Sequence, residues 1–510
     1  MLDEKVKITQ KETFDVIRSA VNKTVDLIKP TFGPSGNKVI ISKLTHGYVL
    51  DDGVQIARDL ELSDPSENAV LKVVREVAIK TNDRVGDGTT GSLIILQAII
   101  DEIAKLHFRD GRKLDRELKK GFEEAKEQIL KSAKTIKTKE DLYKVALVSF
   151  DDEKIARLIA NAWFKLGVDG VLTVDRSNTM ETVMELTDGI SLNKGYLSPY
   201  MITNPQRMEA VFEKAYILIT DFRLTEANDV INIMNKLAEK KILNLVIIAD
   251  NIEQQALATL LVNKMKGIFN TIAISAPDSG SSRTVFLEDI ALMTGAKLFS
   301  EKKGDKLEDA KISDLGRCGR FISKRNESII VDPKGDAKKT KAMVKSLLEA
   351  LSSESNKSYK EDIKKRIARF SNKVGVIKVG APTENETNAL RYKIEDAVNS
   401  TLSAFKGGVV AGAGVGLLEL KTSSEILNEA LSVPFRQLKN NIGLDSHRPL
   451  AKGESINVVT GEIGPWHKIG VMDPAEVLIA QIESAVSIAS LLVTSSGMVV
   501  EKPQHIKEEQ

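Results

Sequence analysis

The spacing of apolar residues changes twice along this chain, and a fold built from one kind of layer cannot hold both patterns. From Phe14 the positions Ile17, Val21, Val25 and Ile28 recur at steps of three and four, which predicts an amphipathic helix ended by Pro30. The same period predicts helices over 66–84, 90–106, 113–130 and 153–166. In the middle, β-branched runs alternate with helical ones: Leu245 to Ala249, then 253–266, then Thr271 to Ser275, then 285–293. Strand, helix, strand requires a crossover and hence a parallel α/β unit. A polar hairpin-like stretch near 320–331 and a charged helical region over 336–370, interrupted near Ser352 to Ser355, follow it. From Asn385 long helical patterns return, broken by the glycine-rich run Gly407 to Gly416. The order predicts an α/β domain inserted into a helical shell.

A length of 510 residues allows about three to four domains. Lys plus Arg number 73 and Asp plus Glu 71, a net +2 that is too balanced for a surface gripping nucleic acid or anionic lipid. Aromatic residues make up only 5%, so Ala, Val, Ile and Leu must fill the cores, which suits helix packing. A lone thiol, Cys318, excludes an internal disulfide framework and points to a reducing compartment. Its neighbours Arg317 and Arg320 would favour a thiolate, but a stray cysteine is the simpler reading. His46, His107, His447, His467 and His505 share no metal-ligand spacing. No apolar run follows the charged Asp3, Glu4, Lys5 and Lys7, and the longest uncharged apolar stretch, Ala485 to Val500, is shorter than the roughly 18–20 residues that span a bilayer. The expectation is a cytosolic protein with neither nucleic acid nor membrane as partner.

Three glycine-rich turns bring backbone N–H groups to helix ends: Thr31-Phe32-Gly33-Pro34-Ser35-Gly36, Gly86-Asp87-Gly88-Thr89-Thr90-Gly91 and Gly412-Ala413-Gly414. Such turns let a phosphate approach the backbone. In the second, Gly88, Thr89 and Thr90 open a helix with Asp87 beside them, which supplies donors for phosphate oxygens and a hard oxygen ligand for Mg2+. Taken singly, Asp-Gly is more often a plain turn, and it recurs at Asp52-Gly53, Asp110-Gly111, Asp169-Gly170 and Asp188-Gly189. None of the 33 glycines precedes a lysine, so a P-loop is excluded. Gly86 to Gly91 matches a dinucleotide fingerprint with Asp110 downstream, but Val70, Val73, Val74 and Val77 before it read as helix where that fingerprint needs a strand.

In order and content these segments resemble the group I chaperonin family, the GroEL type. The likeness is carried by Thr31 to Gly36, Asp52-Gly53-Val54 with Ala57-Arg58, Gly86-Asp87-Gly88-Thr89-Thr90, Gly195-Tyr196-Leu197-Ser198-Pro199-Tyr200, Ala256-Leu257-Ala258-Thr259-Leu260, Glu395-Asp396-Ala397, Gly407 to Gly412 and Met472-Asp473-Pro474. It implies a multidomain α and α/β chain: an α-helical equatorial ATPase domain from 1–131 and 407–510, a small intermediate hinge domain from 132–187 and 375–406, and an inserted α/β apical domain at 188–374. It further implies ATP, Mg2+ and K+ as ligands, with Thr31, Phe32, Gly33, Pro34, Gly88, Thr89, Thr90, Ser149, Gly412, Asn457 and Asp473 around the nucleotide. Asp87 would bind the metal, and Asp396, assisted by Asp52, would orient the attacking water. Without the resemblance, Asp396 reads as an ordinary helix-surface carboxylate.

The resemblance also implies capture of non-native polypeptides by a homo-oligomeric ring, with a co-chaperonin as lid, since the short link from the 226–240 helix to the Leu245 strand leaves no built-in lid. Tyr196, Tyr200, Met201, Val230, Ile233, Met234, Leu237, Leu257, Leu261 and Val262 are the expected capture residues. By periodicity alone such stripes are more often core. The chain departs from the family pattern at Asp51, where lysine is usual, at Gly91, where a third threonine is usual, and at Ala413, where glycine is usual. Asp51 adds negative charge near the phosphates and bears on the cation site. Such departures describe a divergent member, from a reduced genome or from a virus whose protein works in the host cytoplasm. Two functions follow: an ATP-dependent folding machine, or a holdase or scaffold that keeps the fold with impaired turnover.

Overall fold

The computed structural model describes every residue except 1–4, 9, 35, 44–45, 51–52, 107–109, 169, 178, 206, 355, 372, 444–449 and 502–510. The chain divides into two compact units, one formed by 1–168, 174–184 and 377–510, the other by 169–173 and 185–376.

The first unit is built around the helix Ala475–Val493, which packs against Pro65–Val85, Thr89–Lys105 and Gly111–Ser132. By length and composition this helix could cross a membrane, but 78% of its apolar window is buried inside the protein, so it is a core helix. Its partners are aliphatic on the facing sides: Val70, Val74, Val77, Leu93, Leu96, Ile100 and Leu118 are buried in the same cluster. Each such side chain contributes roughly 2 kcal/mol of burial, which is how a chain poor in aromatics obtains a core. Local signals fix where the helices start. Asp64 accepts from the N–H groups of Ser66 and Glu67 with Pro65 at the first helical position, and Asp110 accepts from Arg112 and Lys113. Asp110-Gly111 is therefore a cap. The paired strands Val409–Ala411 and Met472–Pro474 place Val410 opposite Asp473.

In the second unit the sheet runs in the order Asn270–Ser275, Asn244–Ala249, Tyr216–Thr220, Gly316–Ser323, Ser328–Pro333, Val183–Leu192. The short strand Leu298–Phe299 also pairs with Tyr216–Thr220. The first three strands and Leu298–Phe299 are parallel and joined by the helices Asn228–Glu239, Gln254–Met265 and Gly280–Thr294. Their chain order reverses between Tyr216–Thr220 and Leu298–Phe299, where an open α/β sheet usually takes a ligand. Here Asp221 closes that crevice: its carboxylate accepts from Ser300 Oγ at 2.6 Å and from the Glu301 N–H at 2.9 Å, and its own N–H donates to Phe299 O at 3.0 Å. Asp188-Gly189, read from sequence as a turn, lies inside the strand Val183–Leu192, where a Cβ at Gly189 would strike Val374 and the Ile330 carbonyl.

The expected apical segment 188–374 lies within the second unit, whereas 132–168, 174–184 and 377–406, expected as part of a hinge, lie in the first. The reason is packing: the helix Glu384–Gly407 runs against Lys139–Ser149 and Ala475–Val493, and Trp163 Nε1 donates to Val398 O at 3.1 Å. The Cys318 thiol is buried, and burial pushes its pKa up to about 12, so it is an inert core group.

One ion cluster holds the charged helix Lys357–Ser371 against the helix Gly280–Thr294 within the second unit. Asp289, 1% exposed, meets Arg366 at 2.7 Å and Arg369 at 2.6 Å, and the Arg369 guanidinium lies 3.8 Å from the Phe286 ring centre. Asp289→Ala would leave two guanidinium groups against a dry face, so we expect a loss of about 3 kcal/mol in urea unfolding. An unchanged unfolding midpoint would show that the cluster contributes no net stability.

Candidate functional site

The helix Pro65–Val85 ends on Gly86, left-handed at φ 67°, and the helix Thr89–Lys105 starts from Gly88, left-handed at φ 78°. Asp87 is held between them, and its Oδ1 accepts from the Gly88 N–H at 2.5 Å. Side chains are excluded at both glycines because a Cβ on Gly86 would enter Asn399 and one on Gly88 would enter Gln481 and Val477. Asn399 and Ser400 stand three and four residues after Asp396 on the helix Glu384–Gly407, so all three share one face. That face meets the turn, with Asn399 against Gly86 and Ser400 beside Asp87.

Asp473 enters from the other side. The Gly414 N–H donates to its carboxylate, and Gly414 follows Ala413 in a pair of left-handed residues at φ 75° and φ 58°. For alanine this conformation costs roughly 1 kcal/mol relative to glycine, so the departure at 413 is strained. Gly412 lies against Val471, donating to its carbonyl at 3.0 Å and accepting from Ser455 Oγ at 2.9 Å. The Thr31 turn completes the group. Thr31 Oγ1 donates to Ile28 O at 2.8 Å, and Asn441 Nδ2 donates to Lys29 O and Phe32 O at 3.0 and 2.9 Å. Gly53 packs between Ile28 and Thr90, which ties this turn to the Asp87 turn.

Asp87 and Asp473 each keep part of their surface open while protein atoms surround them, as on the wall of a deep cleft. Burial raises the pKa of both above the ordinary carboxylate value. For Asp473 it reaches about 7: desolvation dominates, the Gly414 N–H opposes it, and the negative charge of Asp87 adds to it. Among the described residues no three His, Cys, Asp or Glu side chains form a metal cluster by themselves. Two carboxylates that repel one another in a cleft fit a cation whose remaining ligands come from a phosphate and water.

Contacts thus link the Thr31 turn through Gly53 to Thr90 and the Asp87 turn, the charge of Asp87 reaches Asp473 beside Gly414, and Asp396 lies on the helix face whose Asn399 and Ser400 meet the Asp87 turn; Phe32, Gly33, Pro34 and Thr89 follow in the same turns. Ser149 ends the helix Lys139–Ser149, which packs on Glu384–Gly407 and on Met472–Pro474. Asn457 is partly committed elsewhere, since its Oδ1 accepts from the N–H groups of Val459 and Thr460. Asp52 and Asp51 lie outside the described residues. Asn399 and Ser400 were not singled out from sequence, whereas Gly414 belongs to the third glycine turn read there. The helical period from Asp396 would have found the first two.

The expected capture surface needs correction. Val230, Ile233, Met234 and Leu237 are buried in the core of the second unit, because they form the single apolar face of Asn228–Glu239 and that face packs inward. Tyr196 and Met201 are buried as well. The helix Gln254–Met265 is different: only Ala256 and Leu260 are buried, Leu257 and Leu261 are half-buried, and Val262 and Met265 are exposed. Tyr200, 68% exposed, lies in the short helix Pro199–Met201 that packs against it, and Ile268 extends the exposed apolar surface.

Residues 25–503 match the TCP-1/cpn60 chaperonin family, and the chain belongs to that family. Two crystal forms of the chaperonin gp146 from the bacteriophage EL (Pseudomonas aeruginosa), both obtained in the presence of ATP-BeFx, share its fold at 22% identity. One covers 98% of this chain and 99% of its own with a TM-score of 0.68; the other covers 97% and 99% with a TM-score of 0.62.

The raised pKa of Asp473 gives a pH signature. A carboxyl with a folded-state pKa above its ordinary 3.8 binds more protons folded than unfolded, so its stabilisation is present below that value and is lost as pH rises through about 7. Without divalent cations we expect the denaturation midpoint to fall across this window, and Asp473→Asn to remove part of the fall. An Asp473→Asn protein with the wild-type pH profile would contradict this assignment.

Proposed function

We propose that this chain is an ATP-hydrolysing chaperonin subunit that captures non-native polypeptides and releases them through nucleotide-driven change. The observation that carries the reading is the convergence of three glycine turns on the carboxylate pair Asp87 and Asp473. In this reading the N–H groups at the start of Thr89–Lys105 and the hydroxyls of Thr89 and Thr90 hold phosphate oxygens, aided by the positive end of the helix dipole. Mg2+, bound by Asp87 with Asp473 nearby, would neutralise phosphate charge. Thr31 to Pro34 and Gly412 contact the nucleoside, with Ser149 and Asn457 at the margin. Asp396 orients the attacking water and accepts its proton, and Asn399 and Ser400 on the same face fix that helix against the turn. Phosphoryl transfer needs mainly positioning and charge neutralisation, which these groups supply. Asp52 assists Asp396, and K+ is a further ligand.

Polypeptide capture is assigned to the exposed side of Gln254–Met265. Leu257, Leu261 and Met265 recur at steps of four, with Val262, Ile268 and Tyr200 around them. The unbranched Met265 adapts to many sequences. A homo-oligomeric ring and a separate lid protein complete the proposal.

Asp396→Ala should lower steady-state hydrolysis at least about a hundredfold with calorimetric Mg-ADP affinity unchanged. Near-normal turnover would remove Asp396 from the chemistry. Val262→Ser with Met265→Ser should abolish co-sedimentation with a denatured protein while leaving hydrolysis in place, and undiminished capture would move the binding surface elsewhere.

A further inference from the structure

Gln481, 7% exposed, is the largest of the buried polar side chains of its helix, where Ser484 and Ser490 are the others, and it lies in a stretch where Val477, Leu478, Ile479, Ala480 and Ile482 are all buried. A buried amide is costly unless it is bonded. Gln481 Nε2 donates to the Gly88 carbonyl at 3.1 Å. The amide also lies over the first turn of Thr89–Lys105. A Cβ on Gly91 would stand 2.6 Å from Nε2 and 2.9 Å from Cδ, and one on Gly88 would stand 2.6 Å from Nε2. A side chain at position 91 and Gln481 in this place therefore exclude one another, which gives the departure at Gly91 a physical reason.

Resting on the nucleotide reading above, we propose that Gln481 is the positioning residue of the phosphate turn. The Gly88 carbonyl accepts from Gln481 and, at 3.1 Å, from the Ser92 N–H. In a trans peptide the carbonyl and the following N–H point in opposite directions. Fixing the Gly88 carbonyl toward the helix core therefore fixes the Thr89 N–H outward, at the helix N-terminus where the phosphates bind. If this peptide turned over, a carbonyl oxygen would face the phosphate and repel it. Gly88 and Gly91 leave room for the amide, and the helix Ala475–Val493 that carries it begins two residues after Asp473, with Pro474 as its N-cap, so one helix ties Asp473 to the phosphate turn.

The test is calorimetry of the full-length protein with Mg-ADP and, separately, with adenosine, comparing wild type, Gln481→Leu, Gln481→Ala, Gly91→Ala and the double variant Gln481→Ala with Gly91→Ala. Leucine keeps the bulk over Gly91 and removes the donor. Gln481→Leu should weaken Mg-ADP binding about tenfold, the scale of one lost hydrogen bond, while adenosine binding stays the same. Gly91→Ala should produce the same phosphate-specific loss by displacing the amide, and adding it to Gln481→Ala should cost little more, because both remove one interaction. Unchanged Mg-ADP affinity in Gln481→Leu, equal loss for Mg-ADP and adenosine, or full additivity in the double variant would each overturn the inference and leave the nucleotide reading standing. A wild-type protein that binds neither ligand would overturn that reading and this inference with it.

Discussion

Asp87 and Asp473 are carboxylates whose charges act on one another in a largely buried setting, and the backbone of the first unit fixes both. Asp87 is fixed by two left-handed glycines at the junction of two core helices. Asp473 is fixed by strand pairing with Val409–Ala411 and by the start of the buried helix Ala475–Val493. Burying them without a partner is unfavourable, and the backbone N–H groups of Gly88 and Gly414 offset only part of that cost. The aliphatic packing around Ala475–Val493 supplies the remainder. In the proposed reading, a cation with its polyphosphate would offset the cost of burying this pair.

The second unit solves a different problem. Its parallel sheet has the strand order of a nucleotide-binding domain, yet Asp221, Ser300 and Glu301 fill the crevice where such a sheet would bind its ligand. The helix Asn228–Glu239 spends its apolar face on the core, whereas Gln254–Met265 fully buries only Ala256 and Leu260, half-buries Leu257 and Leu261 and leaves Val262 and Met265 exposed. A helix that holds its place with so little burial depends on its neighbours, among them the strand Asn270–Ser275 and the short helix Pro199–Met201.

Much of this was legible in the residues. The strand–helix–strand run from Leu245 to Ser275 and the helices beginning at Pro65, Thr89 and Glu153 lie within a few residues of their sequence-based positions, because periodicity and caps are local signals. The helix Lys139–Ser149 and the short strand pairs escaped notice, since four-residue strands carry little pattern and form only when a distant partner is in place. The same limit explains the capture residues. Val230, Ile233, Met234 and Leu237 make an apolar stripe as clear as any in the chain, but a stripe states that a face is apolar and is silent on what covers it. Only the structure separates the stripe that meets the sheet from the half-exposed one on Gln254–Met265.

The departures from the family pattern are of two physical kinds. Ala413 keeps a left-handed backbone that suits glycine, so the turn at Gly412 persists at the cost of backbone strain. Gly91 is instead one half of an exchange: the side chain removed from the helix Thr89–Lys105 is replaced, in the same volume, by an amide from Ala475–Val493. A threonine at 91 would act through its hydroxyl at that position. Gln481 acts through the backbone, by deciding which way the Gly88–Thr89 peptide faces. Loss of a residue type from a motif is therefore weak grounds for loss of the activity, because the turn's geometry is carried by the packing of two helices and the motif is its local trace.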